Sequence, residues 1–259
     1  MNVLIGDIGN TITKVCLIEI KKLKIKKIFH FESKKILSNK FLKKEFQKIT
    51  KNKSIIRNAL FSSVVPKYHS LLKKFLIKSY KIKLREIKET NIKKTIKINV
   101  KNKNQVGSDR LANASGVSSN YKSNCIVVDF GTATTFDVVT KKGLYNGGII
   151  APGVNLSMES LTKSADQIPI FSIKKQKKII GKNTIEALRS GFYWGYTGLI
   201  NNIILKIEHE TKKKYKIVFT GGFANLFRTS ISRSFIVDKN ITIKGIIEIF
   251  KKNRKYLNQ

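Results

Sequence analysis

The sequence predicts an α/β fold in which one domain pattern occurs twice. Two segments far apart in the chain share the same order of residue types, Asp7-Ile8-Gly9-Asn10-Thr11 and Asp129-Phe130-Gly131-Thr132-Ala133-Thr134-Thr135. Each segment follows an apolar run and precedes a second predicted strand, which places both at turns between strands. Apolar residues with helical spacing follow the strands in each half. Together these observations indicate a duplicated domain.

Both turns have residue types that suit a phosphate bound to a cation. An aspartate repels a bare phosphate, but it attracts a phosphate that carries Mg²⁺ or another cation. Glycine lets the backbone approach a ligand closely, and threonine offers a hydroxyl to a phosphate oxygen. A single Asp-x-Gly turn is common in hairpins. Two such turns, one opening each half of the chain, predict a nucleotide held from both sides.

The first half is predicted to open with a three-stranded antiparallel meander that has the first turn at its first bend. Pro66 suits the first turn of a helix, because that position needs no backbone N–H donor. The segment from Lys81 to Lys103 is charged and irregular. The predicted elements are strands at 2–6, 13–20, 24–32, 54–65 and 94–100, and helices at 41–49, from Pro66 through Leu76, and from about Asp109 to Ser119.

The second half repeats the order of strand, turn, strand, hairpin and strand. Asn183-Thr184-Ile185-Glu186 resembles a capping box, which predicts the start of a long helix. Strand 215–220 is predicted to lead into Gly221-Gly222 and a further helix. The other predicted elements are strands at 125–129, 134–140 and 145–151 and a helix at 154–163. The apolar face predicted for the long helix comprises Ile185, Leu188, Phe192, Leu199 and Ile203. The predicted domains are 1–118 and 119–259.

Composition excludes several classes of protein. The sequence has no apolar run of about 18 residues, so we expect no transmembrane helix and no membrane partner. The N-terminus lacks the basic and apolar regions of a secretory leader. Two cysteines, Cys16 and Cys125, cannot form a disulfide framework, and their apolar surroundings predict buried, reduced thiols. These features predict a cytoplasmic location.

The net charge of +36, with a pI near 10.2, is typical of proteins that bind nucleic acid. Here the lysines are spread through the chain, and no arginine-rich or aromatic stripe accompanies them. Ile and Asn are abundant as well, and AT-rich codons encode all three residue types, so codon bias explains the profile without a partner. We therefore expect no specific nucleic-acid partner, only weak, salt-sensitive binding to polyanions.

Other nucleotide-binding motifs are missing from the sequence. It has neither the Gly-x-x-x-x-Gly-Lys-Ser/Thr of P-loop proteins nor the Gly-x-Gly-x-x-Gly of Rossmann enzymes. Thr220-Gly221-Gly222-Phe223-Ala224 follows a strand and precedes a predicted helix, where backbone N–H groups can meet a phosphate. The alternative is a simple strand-to-helix turn. The three histidines share no spacing with each other, which argues against a zinc site.

Gly107-Ser108-Asp109-Arg110 is a further candidate segment of a site. A carboxylate beside a guanidinium at a helix start can accept a proton from a substrate hydroxyl, while the arginine positions an anionic group. The alternative is that Ser108 or Asp109 only caps the helix. Spacing alone favours the cap.

With these segments in order, the chain resembles the type III pantothenate kinases. That family belongs to the superfamily of acetate and sugar kinases, Hsp-type chaperones and actin. The resemblance implies duplicated ribonuclease H-like (actin-like ATPase) domains, each with a mixed five-stranded sheet and helices. The matching segments are Asp7-Ile8-Gly9-Asn10-Thr11, Ser63-Val64-Val65-Pro66, Gly107-Ser108-Asp109-Arg110-Leu111-Ala112-Asn113, Asp129-Phe130-Gly131-Thr132-Ala133-Thr134-Thr135, Gly147-Gly148-Ile149-Ile150-Ala151-Pro152-Gly153, Gly181-Lys182-Asn183-Thr184 and Thr220-Gly221-Gly222.

The resemblance implies ATP-dependent phosphorylation of pantothenate to 4'-phosphopantothenate, the first step of coenzyme A synthesis. It also implies a homodimer that needs Mg²⁺ and a monovalent cation, K⁺ or NH₄⁺. Asp109 would be the general base, Asp129 would bind the monovalent cation, and Asp7 would help to hold Mg²⁺. The residues implied to bind ATP are Asp7, Ile8, Gly9, Asn10, Thr11, Ile12, Thr13, Lys14 and Thr132, and those implied to bind pantothenate are Gly107, Ser108, Asp109, Arg110 and Thr184.

The sequence departs from the family pattern at three positions. Val100 stands where the family usually has a Tyr that lines the pantothenate pocket, Lys103 replaces a Pro, and Ser108 replaces a commoner Ala. Two alternatives therefore stay open. One is a kinase of another small hydroxyl compound, and the other is a non-catalytic basic protein of the same fold that binds nucleic acid or regulates a process.

Overall fold

The computed structural model describes residues 2–50, 56–229 and 233–257. The strands are β1 (Asn2–Ile8), β2 (Ile12–Glu19), β3 (Lys24–Glu32), β4 (Ile56–Ser63), β5 (Lys83–Glu86), β6 (Lys97–Ile98), β7 (Cys125–Phe130), β8 (Ala133–Val139), β9 (Leu144–Pro152), β10 (Lys216–Gly221) and β11 (Phe235–Val237). The helices are α1 (Asn39–Thr50), α2 (Pro66–Tyr80), α3 (Ser108–Asn120), α4 (Val154–Ser164), α5 (Thr184–Thr211), α6 (Ile241–Lys252) and α7 (Arg254–Leu257). They form two compact units: Met1–Lys122 with Lys142–Tyr145 and Asn240–Gln259, and Ser123–Lys141 with Asn146–Lys239.

The first unit is built on a five-stranded mixed sheet in the order β3-β2-β1-β4-β5. The antiparallel pairs β1/β2 and β2/β3 form the predicted meander. β4 pairs in parallel with β1, and β5 pairs in parallel with β4. β1 is buried along nearly its whole length, because helices cover both faces of the sheet. Side chains of α1 and α2 pack into the core on one face, and α3 and α6 contact β1 and β4.

Helix α6 belongs to the first unit because it packs backbone to backbone against α3. A Cβ atom on Gly245 would lie 1.8 Å from the carbonyl oxygen of Ala112, so only glycine permits this approach. Thr242 Oγ1 donates to Asn113 Oδ1 at 2.7 Å at the same contact. The predicted domains, 1–118 and 119–259, instead group α6 with the second half, because they follow chain order. Those boundaries stay a prediction, and the compact units differ from them in this helix.

The second unit carries the predicted repeat of the sheet, in the strand order β11-β10-β7-β8-β9. β7 and β8 are antiparallel, whereas β7/β10 and β10/β11 are parallel. The two-residue strand β6 pairs in parallel with Leu144 and Tyr145 at the start of β9, and all four of these residues belong to the first unit. Two mixed sheets with helices confirm the predicted α/β fold class. None of the helices in the described ranges is long and apolar enough to span a membrane.

The structure corrects several predicted elements. Residues 81–103 contain β5, which sequence patterning missed, and the strand expected at 94–100 is only β6. No helix follows Gly221-Gly222, where a turn leads to a 3-10 helix at Leu226–Thr229. The predicted strand 54–65 is described from Ile56 to Ser63, and residues 54 and 55 lie outside the described ranges.

The long helix α5 buries a different face from the predicted one. Its buried apolar residues are Tyr193, Tyr196, Ile200, Ile204 and Ile207. The five predicted residues, from Ile185 to Ile203, are only half-buried. Both stripes have helical spacing, so periodicity could not decide which one faces the core.

Candidate active site

The predicted phosphate turn of the first unit lies between β1 and β2, the two strands that pair from Ile8↔Thr13 onward. The Gly9 N–H donates to the Ile12 carbonyl oxygen at 3.1 Å, and the Ser33 hydroxyl donates to the Gly9 carbonyl oxygen at 2.6 Å. These bonds fix the shape of the turn. Its tip, Asn10-Thr11-Ile12, remains exposed to solvent.

Not every predicted residue of this segment offers its side chain to a ligand. Ile8 is fully buried in the core, and Thr13 is buried with its hydroxyl 2.8 Å from the Ser33 hydroxyl. Contacts from these two residues to a nucleotide would therefore come from their backbone groups. Asp7 and Lys14 are half-buried and lie opposite each other in the β1/β2 register.

Asp7 has a partner that sequence reasoning missed. Ser62, its register neighbour on β4, donates its hydroxyl to Asp7 Oδ1. This bond fixes the carboxylate at the carboxyl end of β1, beside the phosphate turn. The only local signal is that Ser62 precedes Ser63-Val64-Val65-Pro66, a segment that carries the family resemblance.

Asp109 lies in the first turn of α3, which begins at Ser108 with Gly107 as its N-cap residue. No side chain caps the helix from the Gly107 position, but Asp109 Oδ1 accepts the Arg110 N–H at 2.8 Å. Neither Ser108 nor Asp109 is therefore the N-cap residue, and the alternative that one of them caps the helix is not realised. One carboxylate oxygen is engaged by the backbone in this way.

Burial raises the pKa of Asp109 above the ordinary value of a carboxyl group, and this effect outweighs the others. The Arg110 N–H and guanidinium lower the pKa, as does the charge of Lys88. The Arg110 guanidinium lies over the ring of Tyr145, 5.9 Å from its centroid. Tyr145 is buried, so it restricts where the arginine can lie. Sequence reasoning missed this aromatic partner.

The second phosphate turn is enclosed by two glycine segments of its own unit. Gly221 has a φ of +84°, and a Cβ there would lie 2.5 Å from the Phe130 carbonyl oxygen and 2.7 Å from Asp129 Oδ1. A Cβ on Gly153 would lie 2.0 Å from the Thr132 carbonyl oxygen. Only glycine fits at either position, so the predicted segments around Asp129, Gly153 and Gly221 do converge. The Asp129 side chain is half-buried, and Thr132 is exposed.

Thr184, the remaining predicted site residue, is exposed at the start of α5. The predicted capping box is present only in part: the Asn183 side chain accepts the Glu186 N–H at 2.9 Å, but the Glu186 carboxylate accepts the N–H of Lys182, the residue before the N-cap, at 2.8 Å. The cap of α5 is therefore Asn183, not Thr184. Thr184 lines an apolar groove of about 560 Å³ between α4 and α5, with Leu161 and Gly191 among the other lining residues.

The acidic residues suit a cation that is bound together with a phosphate. Within the described ranges, no group of three or more His, Cys, Asp or Glu side chains could hold a metal ion alone. Mg²⁺ usually keeps several waters and takes one or two carboxylates plus substrate phosphates. Asp7 in one unit and Asp129 in the other are half-buried carboxylates that each adjoin a phosphate turn, so each fits such a role.

The chain is similar in sequence to one protein family along most of its length. The sequence profile of the family described as type III pantothenate kinase matches residues 3–206. A type III pantothenate kinase from Pelagibacter ubique is 51% identical over 95% of this chain and 97% of its own length. Another from Koribacter versatilis is 37% identical over 77% of this chain and 73% of its own length.

Several solved structures are similar to this chain in fold. One is described as a Baf family transcriptional activator from Campylobacter jejuni, with a TM-score of 0.62 and 19% identity over 97% of this chain and 99% of its own. The psk41 ParM protein has a TM-score of 0.50 and 12% identity over 100% and 99% of the two chains. At these identities the likeness concerns the fold alone, which is that of actin-like ATPases and sugar kinases.

Proposed function

Because the chain belongs to the type III pantothenate kinase family, we propose that it phosphorylates pantothenate with ATP. The products are 4'-phosphopantothenate and ADP, and the reaction opens coenzyme A synthesis. The observation that carries the proposal is the 51% identity to a type III pantothenate kinase over 95% of the chain. The half-buried Asp109, placed beside Arg110 at a helix start, supports it independently.

Asp109 acts as the general base in this proposal. Its carboxylate accepts the proton of the terminal hydroxyl while the hydroxyl oxygen attacks the γ-phosphorus and the bond to the β-phosphate oxygen breaks. Burial raises the pKa of Asp109, which makes its carboxylate a better proton acceptor than an exposed one. Phosphoryl transfer has a loose transition state, so positioning and charge neutralisation supply most of the rate. Arg110, with Gly107 and Ser108, binds and orients pantothenate.

The two phosphate turns hold ATP. The segment from Asp7 to Lys14 binds phosphates, largely through its backbone where side chains are buried, and Thr132 contacts ATP as well. Asp7 is suited to Mg²⁺ and Asp129 to a monovalent cation, K⁺ or NH₄⁺. When bound, these cations neutralise the charge that develops on the phosphates. The chain would work in the cytoplasm, where ATP is supplied.

We also propose that the chain forms a homodimer, and the exposed face of α5 supports this. Three interior glycines of this helix, Gly191, Gly195 and Gly198, would meet nothing within 4 Å if they carried a Cβ. Glycine inside a helix costs about 1 kcal/mol relative to alanine, and no contact within the unit accounts for this cost. A second copy of α5 packed closely against this stripe would account for it. Thr184 lies in the same groove, so pantothenate would bind near the dimer contact.

The test is an assay of ATP consumption with pantothenate, Mg²⁺ and either K⁺ or NH₄⁺, beside a control with Na⁺ alone. Turnover that requires both pantothenate and the monovalent cation is the expected result. Cation-dependent turnover with no need for pantothenate would contradict the proposed acceptor. It would then favour another small hydroxyl compound and focus attention on Val100. A complete lack of turnover would contradict the kinase itself.

A further inference from the structure

We propose that the hydroxyl of Tyr196, on α5, is a positioning group for the second phosphate turn, Asp129–Thr132. This hydroxyl holds the backbone at Pro152 and Gly153, and that backbone lies against the turn. The inference rests on the proposed function, in which Thr132 contacts ATP. It gives a role in nucleotide binding to a residue of α5 that lies outside the segments that carry the family resemblance.

The Tyr196 hydroxyl joins three elements of the second unit. Tyr196 is 8% exposed, and its Oη donates to the Pro152 carbonyl oxygen at 3.2 Å. The same Oη lies 2.8 Å from Ser157 Oγ. A tyrosine hydroxyl has one proton, so when that proton goes to Pro152, the Ser157 hydroxyl donates to Tyr196. The end of β9, the start of α4 and the middle of α5 therefore meet at one hydroxyl.

The groove between α4 and α5 does not itself require a hydroxyl at this position. Tyr196 and Ser157 are among the residues that line it, and most of the others are apolar, such as Leu161 and Leu199. A phenylalanine would fill the same space, and a buried tyrosine hydroxyl needs a hydrogen-bond partner. The bonds to Pro152 and Ser157 are therefore what distinguishes tyrosine from phenylalanine here.

Pro152 leads directly into a backbone contact with the phosphate turn. Gly153 follows it and is the N-cap residue of α4. A Cβ on Gly153 would lie 2.0 Å from the Thr132 carbonyl oxygen and 2.9 Å from that of Gly131, so the two backbones are in contact. The Ser157 N–H donates to the Gly153 carbonyl oxygen at 2.9 Å, which ties this contact to the start of α4. Because protein interiors are close-packed, a shift of Pro152 would be transmitted to Thr132.

The ring of Tyr196 is connected to the same turn through aromatic packing. Its centroid lies 6.2 Å from that of Phe227, and Phe227 stacks on Phe130 at 5.4 Å. Phe130 is 3% exposed and lies between Asp129 and Gly131 in the turn. The ring of Tyr196 thus supports the turn through packing, and its hydroxyl supports the turn through hydrogen bonds. Tyr196→Phe removes only the hydrogen bonds.

The test compares Tyr196→Phe with the unsubstituted protein by the Kd for ATP with Mg²⁺ and K⁺, measured by calorimetry, and by the KM values for ATP and pantothenate. Tyr193→Phe is the matched control, because Tyr193 also lies on α5, is 1% exposed and stacks on Phe227 at 6.0 Å. We expect Tyr196→Phe to raise the Kd and the KM for ATP about five-fold, the scale of one hydrogen bond. The KM for pantothenate should change less than about two-fold, and the control should match the unsubstituted protein.

Ser157→Ala tests how the hydroxyl is oriented. If Ser157 acts only by donating to Tyr196, Ser157→Ala should weaken ATP binding less than Tyr196→Phe does. The double variant should then bind ATP as well as Tyr196→Phe alone. Effects of the two substitutions that multiply would show that Ser157 acts separately, and would overturn the chain of hydrogen bonds from Ser157 through Tyr196 to Pro152.

Melting temperature and mass separate positioning from a loss of structure. Thermal denaturation and light scattering should give the same melting temperature and mass for Tyr196→Phe as for Tyr193→Phe. An unchanged Kd for ATP, equal rises in the KM for ATP and for pantothenate, or a change in mass would overturn the inference. An unsubstituted protein that binds ATP without phosphorylating pantothenate would refute the proposed function, while the Kd for ATP would still decide the role of Tyr196. An unsubstituted protein that binds no ATP would refute both.

Discussion

Asp109 occupies a position where two physical effects oppose each other. A carboxylate in the first turn of a helix accepts backbone N–H groups and is stabilised in its charged form. Burial acts the other way and dominates, so the pKa of Asp109 is raised. The folded protein thus holds a carboxylate that is more basic than an exposed one, at a cost in stability once it is ionised.

That cost gives a prediction for Asp109→Asn. A raised folded-state pKa means that the favourable contribution of Asp109 is complete below its unfolded-state pKa and is lost as the pH rises through the folded-state value. At pH 7.5 the Asn variant should therefore melt at a higher temperature than the unsubstituted protein, and the difference should shrink toward pH 4. Thermal denaturation at both pH values measures this, with Asp166→Asn as a control at an exposed carboxylate. A variant that melts lower at pH 7.5 would refute the account of Asp109.

Helix α5 has apolar residues on two sides, and only one side is buried within its unit. Substituting Gly195 by leucine should fill the space that a second α5 would need, and so convert dimer to monomer. Light scattering after size exclusion should give twice 29.4 kDa for the unsubstituted protein and for Lys206→Leu, an exposed control elsewhere on α5. It should give the monomer mass for Gly195→Leu. A variant that remains dimeric would show that this face is not the contact.

Elements with a strong local pattern were predictable from sequence. The meander, the Asp129 turn and the Asn183 cap of α5 each depend on residues close together in the chain. Features that depend on contacts between distant segments were not predictable from the sequence. The Ser62–Asp7 bond spans 55 residues and needs the parallel β1/β4 pairing, which no local pattern encodes. β5 was missed because it is only four residues long and three of them are charged, which leaves no apolar pattern to detect.

The helix predicted after Gly221-Gly222 is wrong because contacts with a distant segment determine the structure there. A strand followed by two glycines is typical of a strand-to-helix turn, but here the backbone is held by tertiary contact. The Gly222 N–H donates to the Phe130 carbonyl oxygen at 3.0 Å, so this segment folds onto the Asp129 turn instead of starting a helix. The contact of these glycines with a nucleotide thus stays a prediction, whereas the helix predicted after them is wrong.

At the scale of the whole molecule, the net charge of +36 determines how the protein should bind polyanions. If it reflects codon bias, polynucleotide binding should be purely electrostatic. We expect measurable binding of a mixed-sequence duplex at about 20 mM salt and its loss near 150 mM, since each released counterion steepens the salt dependence. Fluorescence anisotropy across a salt titration measures this. A micromolar affinity that persists near 150 mM would support the basic nucleic-acid-binding alternative.

The central claim is that this chain transfers phosphate to pantothenate with Asp109 as base. The most direct measurement is the kcat for 4'-phosphopantothenate formation by the unsubstituted protein and by Asp109→Asn, in the presence of Mg²⁺ and K⁺ or NH₄⁺. We expect pantothenate-dependent product from the former and a kcat lower by roughly 10²–10⁴ in the latter, with a smaller change in ATP affinity. Near-normal turnover by the Asn variant would contradict the account.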